Sequence, residues 1–314
     1  MNRTLFSSLA LALALSKGAV LTYAESSNTT GAVSASVQSL RKDVAPMNGT
    51  PELPPTDRSP FLLKLILDPQ ADIRDRLEAV QEVGNSLSRS EIDSMFSFLK
   101  NHPDSQEKNM AGLRALKNDV MNALKDQNPP TGLTTTLINI FHDQAQDFAT
   151  RDYAIQHLAT WYRRSTEDSA DAKARIRSIL KEASREETSI AGTALLAMHR
   201  LSAQDTSFDS ADIDQTALRM VISSNTPAPA LITALQVCSD RGLLRALPEI
   251  EHLAQTRGRT ALQISAIAAL GKLGTAEDAV LLQKLEREGS AELHPALAAA
   301  RKRMSWRLAI QEPF

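Results

Sequence analysis

Read from Phe61 onward, the chain has apolar residues three and four positions apart, with polar residues filling the rest. Ile92, Met95, Phe96 and Leu99 form one such stripe, and Ile176, Ile179, Leu180 and Ala183 another. That i, i+3, i+4, i+7 spacing puts each set on one side of an α-helix and predicts helices buried along one face. Leu133–Phe141 has the composition of a strand. Its apolar residues Leu133, Leu137, Ile138 and Phe141 nevertheless follow helical spacing, so a helix is expected there too. Start signals punctuate the pattern. Asp68-Pro69 and Thr226-Pro227 read as helix openings, with proline at a first position that needs no N–H. Ser90 with Asp93, and Thr275 with Asp278, read as capping boxes.

The pattern repeats. The apolar anchors Val80, Leu116, Leu158, Leu195, Leu235 and Leu270 each sit late in the first helix of a pair, with spacings of 36, 42, 37, 40 and 35 residues. Two short helices and two turns take about that length. The clearest copy is Arg259–Gly274, RTALQISAIAALGKLG, whose Ala266, Ala269 and Gly271 read as positions where helices approach closely. Units of this size cannot bury their apolar faces alone and must stack on their neighbours.

The units resemble HEAT repeats, in particular the short bacterial HEAT-like units of the phycobilisome-lyase type. That family's first helix runs roughly D-x-x-V-R-x-x-A-x-x-A-L-G. Asp72-Ile73-Arg74 with Leu77 and Val80 is similar to it, as is Thr150-Arg151 with Ala154 and Leu158. Ala266, Ala269, Leu270 and Gly271 match its second half, with Gln263 in place of the arginine. Leu247-Pro248-Glu249-Ile250 is similar to the opening of the second helix. The resemblance implies an all-α fold, a right-handed α-solenoid of about six helix pairs over residues 61–314, with His294–Leu308 as a C-terminal capping helix. Arg301, Lys302, Arg303 and Arg307 on that helix suit a polar cap or an anionic partner.

The N-terminus follows a different logic. Arg3, an apolar run over Leu9–Leu15 and the small-residue exit Thr22-Tyr23-Ala24 form the layout of an export signal, with cleavage expected after Ala24. An uncleaved membrane anchor is the alternative. Lys17 in the apolar run argues against a span, which needs about 20 nearly uncharged residues. Residues 25–60, rich in Ser, Thr, Pro and Gly, read as a disordered linker with room for a short helix near Val37–Val44. A periplasmic or secreted location follows as the expectation.

Composition narrows the function. Aromatic residues make up only 4%, which suits close helix packing better than a sheet. Without residues 1–24, 33 basic side chains face 37 acidic ones, so a nucleic-acid partner is not expected. The single cysteine, Cys238, lies in an apolar helical run and reads as a buried hydrophobe. The six histidines occupy separate elements with no i+3 or i+4 pair. No metal site, cofactor or catalytic constellation is legible, and the expectation is a non-enzymatic scaffold binding another protein through its concave face. An enzyme or cofactor-handling protein, as in the HEAT-like lyases, is the alternative.

Two clusters are the candidates for binding. In Trp161-Tyr162-Arg163-Arg164, Trp161 continues the Ala154–Leu158 face toward the core. Tyr162 and Arg163 then cover the turn or form an exposed anchor. Arg175, Arg177 and Lys181 share one helix, either as a solvated face or as a positive stripe for an acidic partner.

Overall fold

The computed structural model describes residues 59–102, 109–127, 132–164 and 169–311. The expected export signal with its cleavage point, the short helix near 37–44 and the linker up to residue 58 lie outside them. Ser59 and Pro60, read as the linker's end, open a helix instead, with proline at its second position.

Fourteen α-helices and no strand occur among the described residues. They are α1 (Ser59–Leu67), α2 (Ile73–Gln81), α3 (Arg89–Lys100), α4 (Met110–Lys125), α5 (Leu133–His142), α6 (Phe148–Arg164) and α7 (Ser169–Ala183). Then follow α8 (Ile190–Ser202), α9 (Ser210–Ile222), α10 (Ala228–Asp240), α11 (Leu247–Gln255), α12 (Thr260–Leu273), α13 (Ala276–Glu288) and α14 (His294–Gln311). None is long and apolar enough to cross a membrane.

The helices form two rows. Each even-numbered helix from α2 to α12 packs closely on the next even-numbered one, and the odd-numbered helices α3 to α11 make a looser second row. All six sequence anchors lie in even-numbered helices and are buried. The protein is therefore an all-α solenoid of six helix pairs, α2–α3 through α12–α13, closed by α14. One continuous core runs from Leu63 to Met304 between the rows.

Close approach in the even row depends on missing side chains. A Cβ on Gly192 would lie 2.7 Å from the Cα of Ala230, and one on Gly271 2.8 Å from the Cα of Ala300. Only a residue without a Cβ lets α8 meet α10, and α12 meet α14, at that spacing.

A second device ties four of the even helices, α2, α4, α6 and α12, to the odd helix before each. Arg76 and Arg151, both buried, occupy the fourth position of α2 and α6. Their Nε atoms donate to the carbonyls of Ile66 (2.9 Å) and Phe141 (2.7 Å). Gln263, at the fourth position of α12, reaches the carbonyl of Ala254 at 3.3 Å. Lys117 in α4 does similar work on Leu99 and Asn101, at 3.2 and 2.7 Å. The last carbonyls of a helix have no partner within it, and a cation there also complements the helix dipole. The structure thus corrects the motif's register in the first unit. Arg76 does the work of the repeat's arginine, and Arg74 points to solvent.

Three start signals shift as well. α2 begins at Ile73, capped by Asp72, whose side chain accepts from the Arg74 N–H at 2.8 Å; Asp68 instead accepts from Gln70 in the preceding turn. The capping box of α3 is Ser88 with Glu91, two residues before the expected one. Pro227 is the residue flanking α10, not its first. Local side-chain chemistry offered two neighbouring starts at each place, and core packing selected between them. Thr275 and Asp278 form the expected box, with the Thr275 N–H donating to Asp278 at 2.6 Å.

Candidate functional site

The expected binding residues do not converge. Helical geometry puts Tyr162 on the face of Ala154 and Leu158, and Tyr162 is buried while Trp161 is half-exposed. This reverses the expected assignment of the two rings. The Tyr162 hydroxyl donates a short hydrogen bond to Asp205 and accepts one from Arg177 at 2.9 Å. Its ring packs edge-on against Phe208 and under the Lys173 ammonium. The Tyr162 bond, followed by those from Ser207, holds the Asp205 carboxyl down at about 2. Tyr162 is therefore a joint between α6 and the turn after α8, not an exposed anchor.

The α7 stripe is divided too. Arg175 reaches Thr135 on α5 at 3.2 Å, Arg177 supports Tyr162, and Lys181 pairs with Asp212 on α9. Each of these cations is engaged with a neighbouring element. Only Arg163 faces a surface with site-like properties.

That surface is the outer side of the even row over α4, α6 and α8. On α6, Asp152, Tyr153, Gln156, Thr160 and Arg163 fall in one arc opposite the core stripe. Asn118 and Asp119 face them from α4, and Thr193 and Arg200 from α8. Burial raises the carboxyl pKa of both Asp119 and Asp152. It also raises the Tyr153 phenol, helped by the neighbouring charge of Asp152. Arg200 is exposed, and yet burial, with Arg163 nearby, lowers its pKa. Asn118, Asp119, Asp152, Tyr153 and Thr193 are half-buried around the exposed Gln156, Arg163 and Arg200, which makes this surface a partly desolvated, shallow hollow.

The hydrogen bonds in this hollow are incomplete. Gln156 donates to one oxygen of Asp152 at 2.9 Å. The other, Oδ1, is shielded from water and has no partner at good hydrogen-bond geometry, although the Thr193 side chain lies close enough to favour the carboxylate against burial. Along the α4–α6 seam, the buried His157 meets the Asn118 amide oxygen through Nε2 at 3.0 Å. Asn118 in turn donates to Asp119 at 3.3 Å, which fixes the amide's orientation and makes Nε2 the protonated nitrogen. Burial, then the charge of Lys125, pushes His157 down to about 3, so the ring is neutral. Its Nδ1 is a second buried acceptor without a partner.

Sequence reasoning missed Asp119, Asp152, Tyr153 and His157. A signal was available: α6 carries polar side chains of low mobility, Tyr153 and His157, on the side that a solvated helix gives to Lys and Glu. No group of three or more His, Cys, Asp or Glu side chains that could hold a metal occurs among the described residues. Cys238 is fully buried in α10, and burial pushes its thiol up to about 12.

No protein-family model and no curated protein matches the chain. Among solved structures, human deoxyhypusine hydroxylase in complex with glycerol matches with a TM-score of 0.33 and 11% identity, over 80% of this chain and 97% of that one. The similar chain is an enzyme, so the expectation of a non-enzymatic protein does not stand. At this TM-score and identity the likeness carries over no site and no substrate. The fold defines the class: an all-α helical-repeat protein.

Proposed function

We propose that the protein binds an extended segment of another protein in the hollow over α4, α6 and α8. The observation that carries this reading is the under-donated Asp152 carboxylate, whose Oδ1 is shielded from water and faces only the Thr193 side chain, at poor hydrogen-bond geometry. Leaving such an atom unpaired costs about 1–3 kcal/mol, and a partner's N–H groups would relieve that cost. A lysine or arginine of the partner lies over Tyr153 between Asp119 and Asp152, where the aromatic face and the two carboxylates favour a cation. Arg163 and Arg200 receive an acidic group further along.

The test is recovery of partners by the full chain from the cells that make it, compared with Asp152→Asn and Tyr153→Ala. The two variants lose the same partner while keeping the parent's thermal unfolding. Retention of that partner by both variants contradicts the reading.

We also propose that residues 1–24 export the protein to a periplasmic or secreted location, with cleavage after Ala24. The three-part layout of the segment supports this. N-terminal sequencing of the purified protein should begin at Glu25; a chain that keeps residue 1 and stays in the cytosol overturns it.

A further inference from the structure

The two ends of the solenoid differ in a way that its interior does not. At the C-terminal end, α14 packs on α12 and α13, and among the described residues no helix packs on its far flank. That flank exposes Ala298, Ala299, Lys302, Arg303 and Trp306. Trp306 is 62% exposed, and the Lys302 ammonium lies 4.8 Å from its ring centre. Of the four bases expected to form a polar cap, two are engaged inward. Arg301 pairs with Glu286, and Arg307 donates to the carbonyl of Gly274. From His294 to Gln311 the helix has no acidic residue. The flank sets a tryptophan beside Lys302, Arg303 and small alanines, similar in kind to the surfaces on which even-row helices stack inside the molecule.

The N-terminal end has the opposite charge. On α2 the exposed arc is Arg74, Asp75, Glu78, Gln81 and Glu82, three acids against one base. Beside it, α1 exposes Phe61 at 71%. Terminal repeats of a solenoid normally turn a polar, apolar-free face outward. Here each end carries an exposed aromatic residue, and the charges around the two are complementary.

We propose that a second copy of this chain stacks on the first head to tail, with the Lys302–Arg303–Trp306 flank of α14 set against the Asp75–Glu78–Glu82 arc of α2. Such a contact is heterologous. It does not close at two copies, so it yields an open series or a ring. Trp306 is the anchor, since tryptophan and arginine dominate interface energies. The charges set direction and rate, and their contribution is screened by salt.

The experiment is sedimentation velocity of the full chain over a range of concentrations, at low and high salt. Expected are species beyond the dimer that grow with concentration and shrink with salt. Lys302→Glu with Arg303→Glu should weaken association by about tenfold or more. Adding Glu78→Lys and Glu82→Lys to the same chain should restore it, because both ends are then reversed together. Circular dichroism checks that each variant remains folded. A wild-type chain that stays monomeric at every concentration in low salt overturns the proposal. So does a dimer that never extends, or association that the end reversals leave unchanged. Binding of monomers to anionic phosphatidylglycerol vesicles through Trp306, with no self-association, would assign the flank to a lipid surface and equally overturn it.

Discussion

Replacing Gly271 by alanine opposes two effects of known size. Alanine is favoured over glycine in a helix interior by about 1 kcal/mol, so propensity alone makes Gly271→Ala stabilising. The structure reverses that sign. The new Cβ would stand 2.8 Å from Ala300 Cα, 3.0 Å from its Cβ and 3.1 Å from its carbonyl oxygen. Carbon atoms in good contact are about 3.5–4.0 Å apart, so α14 must retreat by most of an ångström along its main contact. Overpacking of this kind costs about 1–3 kcal/mol, and the obstacle is backbone, which cannot rotate away. A net loss of about 1 kcal/mol is expected. Because a solenoid opens from its ends, that loss should be local. Hydrogen exchange should show faster exchange in α14 and little change in α4 to α8. Gly84→Ala is the control, since a Cβ there meets nothing within 4 Å and its φ is unexceptional. It should be neutral or stabilise by a few tenths of a kcal/mol through the unfolded chain. If Gly271→Ala stabilises as much as the control does, the stacking account of α12 on α14 is refuted.

Arg151→Met removes the donor to Phe141 and the 2.6 Å pair with Glu186, both shielded from water, and should cost about 3 kcal/mol in urea unfolding. The Asp205 carboxyl is held below its unfolded value. Its contribution is therefore present above about pH 4 and lost as pH falls toward about 2. Tyr162→Phe should flatten the acid side of the stability profile in that window. Lys117 gives a slope of the same sign at the alkaline end. Burial lowers its pKa to about 8, so between about pH 8 and 10.4 the unfolded chain binds the extra proton and stability rises with pH. Lys117→Met should remove that rise in thermal melts across the window. Cys238 should resist a thiol reagent in the folded protein and react at once in denaturant.

The architecture was legible because it rests on spacing. Six apolar anchors at intervals near 38 residues are enough to imply stacked pairs, and all six lie in the close-packed row. Gly271 and Ala266 were legible as stacking positions for the same reason. Helix starts were less so, since Asp68 and Asp72, or Ser88 and Ser90, are equally good caps locally. The choice belongs to which register buries Ile92 and Arg76. Tyr162 and Trp161 were misassigned because both lie near the core face; the four-residue step from Leu158 already favours Tyr162, and Asp205, 43 residues on, gives its hydroxyl a partner there. The hollow left only a faint trace, Tyr153 and His157 on the polar side of α6. Asp119, Asp152 and Arg200 are ordinary polar residues in sequence, and their desolvation comes from neighbours on three helices at repeat distance.

The most direct test of the recognition surface is site-specific photo-crosslinking in the cells that make the protein. A photoreactive residue replaces either Gln156, exposed on α6 in the hollow, or Ser178, exposed on α7 in the other row. The expected result is one protein adduct from position 156 that disappears in the Asp152→Asn, Tyr153→Ala background, and none from position 178. The same adduct from position 178, or an adduct at 156 indifferent to those two substitutions, would contradict binding in the even-row hollow.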